Sequence, residues 1–290
     1  MKHVNLAGAV ALTLLVSGAR AAHAADKVVL MSSTIGPIDA GIVEVLEDRF
    51  EQETGIRVRH VGAGTGQALK IAESGNVDLV MVHAKALEEE FVQNGFGTER
   101  IPFMYNDFVI VGPPADPAGI RSASTAGDAL EAIAGKGAPF VSRGDNSGTH
   151  LAELGLWGKA GLKPAGAWYE VYEKGSEGNA ATLKHADERQ AYTVIDRATW
   201  LSVNKEAPLK LAILAEKDPA LLNFISLIPV NQRKFPGVNR QGAAAFVKWL
   251  TAPGKGQRIV QEFGKDRYGA PLFFPDSRQW HGAQKKRQKR

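Results

Sequence analysis

Short apolar runs alternate with amphipathic segments along most of this chain, and that alternation admits few folds. Val28-Val29-Leu30-Met31 reads as a buried strand. Over 42–53, Ile42, Val43, Val45, Leu46 and Phe50 fall on one side and Glu44, Glu47, Asp48 and Glu51 on the other, which predicts a helix closed by Gly55. Residues 57–61 alternate like a strand, 62–66 turn, and 67–73 read as a helix. Strand 78–82, helix 87–93 and strand 108–111 follow, ending at Gly112-Pro113-Pro114. This β–α–β–α–β–α order is the pattern of a mostly parallel sheet with helices on both faces. A second set comprises helix 126–134, strand 140–141, helices 149–160 and 178–187, and strands 191–195, 210–214 and 224–230. Helices 240–251 and 256–263 close the chain. Two such sets predict an α/β protein of two lobes, each a mostly parallel sheet flanked by helices, with a ligand cleft between them. Lobe 1 takes 25–112 and 224–277, and lobe 2 takes 113–223, with crossings near 112–117 and 210–224.

The ends differ from the body. Lys2 and His3 precede an apolar run over 6–16, and Ala22-His23-Ala24 fits the small-residue rule of signal peptidase. Residues 1–24 therefore read as a signal peptide, cleaved near Ala24/Ala25, and the mature chain as exported and periplasmic. The run is too short for a membrane anchor, which needs about 20 apolar residues. The formal charge of +4 suggests nucleic acid, but its location argues otherwise. Two of the 35 bases lie before Ala25 and six after Ser277, with no acid in either end, so the body holds 27 bases against 31 acids. No nucleic-acid partner is expected, and 278–290 read as a disordered basic tail. With no cysteine, thiolate chemistry, disulfides and cysteine metal sites are excluded, and the fold must rest on its core.

The densest chemistry lies at Ser142-Arg143-Gly144-Asp145-Asn146-Ser147-Gly148-Thr149-His150, after a strand and at the start of a helix. Free backbone N–H groups and the helix dipole favour an anion there. Arg143 adds a fixed cation with several donors, and Ser147 and Thr149 add hydroxyls. The same residues also suit a plain helix cap, with Asp145 or Ser147 satisfying orphan amides. Gly62-Ala63-Gly64-Thr65-Gly66-Gln67 lacks the dinucleotide spacing, and reads as a donor-rich turn facing the cleft or as a structural turn. Ser32-Ser33-Thr34-Ile35-Gly36-Pro37 ends the first strand, at the sheet edge where α/β ligands bind, and reads equally as an ordinary polar turn. Signals for an enzyme are weak. Ser147 and His150 stand three apart on one helix, a poor nucleophile–base geometry, and no G-x-S-x-G elbow exists. His60, His83 and His185 are scattered, 88–90 read as a solvated helix face, and Trp168, Tyr169 and Tyr172 as packing, with a sugar cleft as the other use of those rings.

Several motifs, in order, resemble one family. They are 64–70, Val82-His83-Ala84, 104–113, 142–150 and Tyr268-Gly269-Ala270-Pro271-Leu272-Phe273-Phe274-Pro275. Over 27–277 the chain is similar to the tungstate-binding proteins of bacterial ABC transporters. The resemblance implies a two-lobed type II periplasmic binding protein, monomeric, without cofactor, metal ligand or catalysis, which hands an oxyanion to a membrane permease. It implies an anion site at Ser33, Thr34, Thr65, Arg143, Ser147, Gly148 and Thr149. The chain departs from the family at three segments expected in the cleft. Ser33-Thr34-Ile35-Gly36 stands for Thr-Thr-Thr-Ser, Asn179-Ala180 for Met-Gly, and Phe224-Ile225-Ser226 for Pro-Tyr-Gly. Each lost charge-assisted donor weakens anion binding by ~1.5–3 kcal/mol. A carbon-bearing anion that meets Ile35 and Phe224 is therefore the alternative ligand, and an exported hydrolase using Ser147 and His150 the remaining one.

Overall fold

A computed structural model describes residues 27–288. The signal peptide expected over 1–24 lies outside them. The first elements are β1 (Val28–Thr34), α1 (Ile35–Asp39), α2 (Ile42–Thr54), β2 (Arg57–Ala63), α3 (Thr65–Glu73), β3 (Leu79–Val82), α4 (Lys85–Gln93) and the long β4 (Ile101–Gly112). Then come α5 (Ala126–Lys136), β5 (Phe140–Ser142), α6 (Gly148–Lys159), β6 (Tyr169–Val171), α7 (Asn179–Arg189), β7 (Thr193–Asp196), α8 (Arg197–Glu206) and β8 (Ala212–Ala215). The chain closes with β9 (Leu222–Pro229), α9 (Arg240–Thr251), α10 (Gly256–Glu262), α11 (Lys265–Tyr268), β10 (Phe274–Pro275) and α12 (Arg278–Gln288). Local signals account for many boundaries. In α2, Ile42, Val43, Leu46 and Phe50 are buried, and Gly55, in the left-handed region at φ 71°, ends the helix. Thr125 and Asp128 form a capping box at the start of α5.

The architecture is α/β with sheets flanked by helices, as expected, but the large sheet is mixed and not mostly parallel. β1 pairs in parallel with β2 and β3, and β5 in parallel with β6. β4 and β9 are antiparallel to each other, and they add antiparallel pairs with β3, β7, β8 and β10. One core gathers Val29, Met31, Leu46, Phe50, Leu79, Phe103, Met104 and Phe246. Another gathers Phe108, Ile110, Leu130, Phe140, Trp157 and Tyr192. β4 serves both, and changes core between Met104 and Phe108, ahead of the turn at 112–117. At that change of core Asn106 faces Asn223 on β9, and Asn223 Nδ2 donates to Asn106 Oδ1 at 2.7 Å. Arg197 grips Asp107 there, with Nη2 at 2.6 Å from Oδ2, and reaches Glu216 at 2.8 Å.

Two further expectations are corrected. The tail over 278–290 is not disordered through 288: α12 occupies Arg278–Gln288. Its start is anchored by buried Ser277, whose Oγ donates to Thr251 O at 2.8 Å and accepts from Trp280 N–H at 3.1 Å. Glu88 does not belong to a solvated face. It is fully buried and bonds Arg100. Among the described residues no helix is long and apolar enough to cross a membrane.

Candidate functional site

The loop from β5 to α6 is fixed from below. Glu153, buried on α6, accepts from Ser142 Oγ at 2.7 Å, Trp157 Nε1 at 3.0 Å and Tyr169 OH at 2.7 Å. Burial pushes the Glu153 carboxyl up, and those three donors oppose the shift. Trp168 and Tyr169 pack with Phe140 and Trp157, the structural role expected of them. Gly144 at φ 71° and Asn146 at φ 58° turn the chain into the helix. Gly144 also leaves no room for a side chain, because a Cβ there would stand 2.3 Å from Val171.

Several loop donors are satisfied internally. Ser147 caps α6, its Oγ accepting from His150 N–H at 3.3 Å. Asp145 Oδ1 accepts from Ser147 N–H at 3.1 Å, and His150 Nδ1 from Asn146 N–H at 2.9 Å. Asp145 and Ser147 thus do perform the capping that the sequence allowed. The backbone N–H groups of Gly148 and Thr149, the first two of α6, have no partner among the described residues. These are the donors a helix start offers an anion. The His150 ring accepts from Asn146 N–H and makes no bond to the Ser147 hydroxyl, which meets only the His150 backbone N–H, so a nucleophile–base pair is not formed.

Arg143 is held by three partners. Its Nε donates to Gly175 O at 3.1 Å, Nη1 to Asn179 Oδ1, and Nη2 pairs with Asp145 Oδ2 at 2.9 Å. Nε and Nη1 each spend one hydrogen on these partners and Nη2 faces Asp145 as an ion pair, which leaves guanidinium hydrogens for a ligand. Asn179, the first residue of α7, passes the restraint on, since its Nδ2 donates to Asp196 Oδ2 at 2.7 Å. Asp39 of α1 lies within electrostatic range of this group. Desolvation pushes its carboxyl up, Arg143 opposes the shift, and Asp196 reinforces it.

Facing this loop are Ser33 and Thr34 at the end of β1 and Thr65 at the start of α3, all buried. Thr65 Oγ1 donates to Thr34 Oγ1 at 3.4 Å, and His83 Nε2 bonds Thr34 Oγ1 at 3.0 Å. Ser33 Oγ turns to its neighbour's carbonyl, Thr34 O, at 3.2 Å. The His83 ring then closes the gap to the loop. A Cβ on Gly148 would stand 2.3 Å from His83 Cε1 and 2.7 Å from Nε2. The structure therefore brings Thr34, Thr65 and Gly148 together around His83, and places Arg143 in the same loop as Gly148, held by Asp145 and by Asn179 of α7. The starts of α1, α3, α6 and α7 all contribute, each with positive partial charge. His83 and Asn179 are the participants that reading residue types left out. His83 sits in the Val-His-Ala segment, but one histidine in a chain carries no signal of what it touches.

Such a fold and donor cluster define a solute-binding protein rather than a catalyst. Residues 21–253 match the family model of a PBP superfamily domain, so the chain belongs to that superfamily. It is 43% identical over 251 residues to the tungstate-binding protein TupA of Peptoclostridium acidaminophilum, which covers 86% of each chain. The solved structure of the tungstate-binding protein TupA from Desulfovibrio alaskensis G20 is 40% identical with a TM-score of 0.78, over 86% of this chain and 99% of that one. The structure described as the tungstate ABC transporter from Geobacter sulfurreducens is 44% identical with a TM-score of 0.71, over 82% and 99%. Within the superfamily, the chain belongs to the family of these ABC-transporter tungstate-binding proteins, which are binding components and not enzymes.

Proposed function

We propose that this protein captures tungstate in the cleft between lobe 1 (25–112 and 224–277) and lobe 2 (113–223) and delivers it to an ABC permease in the inner membrane. In this reading it is a periplasmic monomer whose signal peptide is removed near Ala24/Ala25. The observation that carries it is the pair of unpartnered N–H groups on Gly148 and Thr149 beside the clamped Arg143, opposite Thr34 and Thr65. Backbone amides, a guanidinium and hydroxyls can all donate, and a fully ionised dianion asks only for donors. The nearby carboxylates Asp145 and Asp196 are already engaged by donors of the protein. Direct ligand contacts are assigned to Thr34, the backbone N–H of Thr65, Arg143, Gly148 and Thr149, with Ser33 and Ser147 supporting them. Calorimetry with tungstate, molybdate, sulfate, phosphate and small carboxylates tests this. Tightest binding of tungstate is expected, and no binding of any oxyanion overturns it.

A second reading rests on Ile35, 47% exposed, and Phe224, 42% exposed. Ile35 follows Thr34 directly, and Phe224 follows Asn223, the partner of Asn106. Their apolar surface suits an organic carboxylate. Tighter binding of a carboxylate than of tungstate in the same titrations selects it.

A further inference from the structure

The Thr34 hydroxyl holds one hydrogen and two lone pairs. An ionised oxyanion only accepts. For Thr34 to serve such a ligand its hydrogen must point at the anion, and the lone pairs must then meet donors from the protein. Thr65 Oγ1, at 3.4 Å, supplies one. The other neighbour is His83 Nε2 at 3.0 Å. A neutral imidazole donates from one nitrogen and accepts at the other, so its tautomer decides what Thr34 can do. With hydrogen on Nε2 the ring donates to Thr34 and releases the hydroxyl hydrogen for the ligand. With hydrogen on Nδ1 the ring takes that hydrogen for itself.

We propose that His83 is a positioning residue of the anion site: as the Nε2–H tautomer it aims the Thr34 hydroxyl at the bound anion, while its ring seats against Gly148 and sets the spacing between the two halves of the site. The proposal rests on the oxyanion reading above. Two further observations support it, and Asn223 makes the tautomer the quantity to measure: its amide nitrogen is committed to Asn106 at 2.7 Å, so its oxygen is left to accept from whichever ring nitrogen carries the hydrogen. Gly148 leaves space for the ring that no other residue would leave. Burial lowers the imidazole to about 4, so the ring is neutral at neutral pH and acts through hydrogen-bond direction, not charge.

The test combines a double-mutant cycle with nitrogen NMR, using sodium tungstate as the probe and thermal unfolding to verify each fold. His83→Phe keeps a ring over Gly148 and removes the donor; about tenfold weaker binding is expected. His83→Gln restores a neutral donor and should bind within threefold of the parent. In a Thr34→Val background His83→Phe should cost nothing more, because the hydroxyl it aims is gone. Histidine labelled with 15N, in the tungstate-saturated parent, should report Nε2–H for residue 83, and this reading needs no variant to fold. Independent, multiplying losses in the cycle, or Nδ1–H in the loaded protein, overturn the proposal. A parent that binds none of the oxyanions overturns the reading beneath it.

Discussion

Gly148→Ala separates the site from the fold. The new methyl would stand 2.3 Å from His83 Cε1 and 2.7 Å from Nε2, whereas ordinary contacts begin near 3.4 Å. The ring must therefore retreat by about 1 Å or rotate away, since a repulsive overlap of that size is far costlier than moving a side chain. Either motion breaks the 3.0 Å bond to Thr34 Oγ1. A neutral hydrogen bond contributes ~1 kcal/mol net, and a hydroxyl lost to a charged ligand ~1.5–3 kcal/mol. Tungstate affinity should fall by ~10–100-fold. The fold should not suffer. Position 148 begins α6 without a left-handed φ, so alanine is compatible there and gains up to ~1 kcal/mol over glycine as a helix former. The alanine also keeps the backbone N–H, so the anion loses no amide donor. Calorimetry with tungstate and thermal unfolding of the ligand-free protein measure the two halves. Unchanged affinity would refute the contact of His83 with the loop as a feature of the loaded state. A large drop in ligand-free stability would show that the ring is held too rigidly to move.

Two more outcomes follow from the same geometry. Arg143→Ala should remove most affinity for any oxyanion, at least ~100-fold with the loss of a charge-assisted donor pair, and Arg143→Lys should be nearly as poor, because one ammonium cannot hold Gly175 O, Asn179 and Asp145 together; binding within threefold of the parent would sink the assignment. The pH dependence has a definite sign: the His83 imidazole falls from 6.5 to about 4 on folding, so the unfolded chain binds its proton more readily, and stability present above pH 6.5 is lost as pH falls toward 4. The loss is at most ~3 kcal/mol, since the ring keeps some exposure, and His83→Gln should flatten that part of the stability curve relative to the parent, as measured by denaturant unfolding at pH 4, 5, 6 and 7.

Periodicity makes most elements legible, and the proposed anion loop stands out by its density of donors. α9 falls on the expected 240–251 because Phe246, Val247 and Leu250 recur at helical spacing on a buried face. α12 was illegible for the opposite reason. It buries no residue, so its sequence carries no periodic stripe, and its start depends on a Ser277 network reaching back to Thr251 and Gln257. Glu88 was misread because its partner, Arg100, lies outside the helix on the approach to β4. α8 buries only Ala198 and Val203, and its clearest signal is the Asp196 cap on Thr199 N–H. The same limit hid His83. Its contacts include Thr34, 49 residues earlier, Asn223 on β9 and Gly148 in the opposite loop. No local pattern encodes a match between a ring and a missing side chain; only the topology that closes the sheet edge onto the loop produces it.

That topology also determines which protons the site tolerates. Asp39, Asp145 and Asp196 lie around Arg143, and in the proposed site an unengaged one would accept a hydrogen from a protonated anion. Asp145 is engaged: Oδ1 accepts from Ser147 N–H at 3.1 Å and Oδ2 pairs with Arg143 at 2.9 Å. Asp196 is engaged too, with Oδ1 accepting from Thr199 N–H at 2.8 Å and Oδ2 from Thr199 Oγ1 at 2.6 Å and Asn179 Nδ2 at 2.7 Å. Asp39 is exposed, so water meets its carboxylate. Hydrogen phosphate in the proposed site would have to displace one of these donors to find a carboxylate acceptor for its P–OH, at a cost of ~1–3 kcal/mol. Tungstate carries no proton at pH 7 and escapes that cost. Phosphate should therefore bind ~5–150-fold more weakly than tungstate at pH 7 in parallel titrations at one salt concentration. Equal affinities would mean that an acceptor does face the ligand. Asp39 is then the group responsible, and Asp39→Asn should weaken phosphate while sparing tungstate. If that variant weakens neither, the reasoning from engaged carboxylates fails.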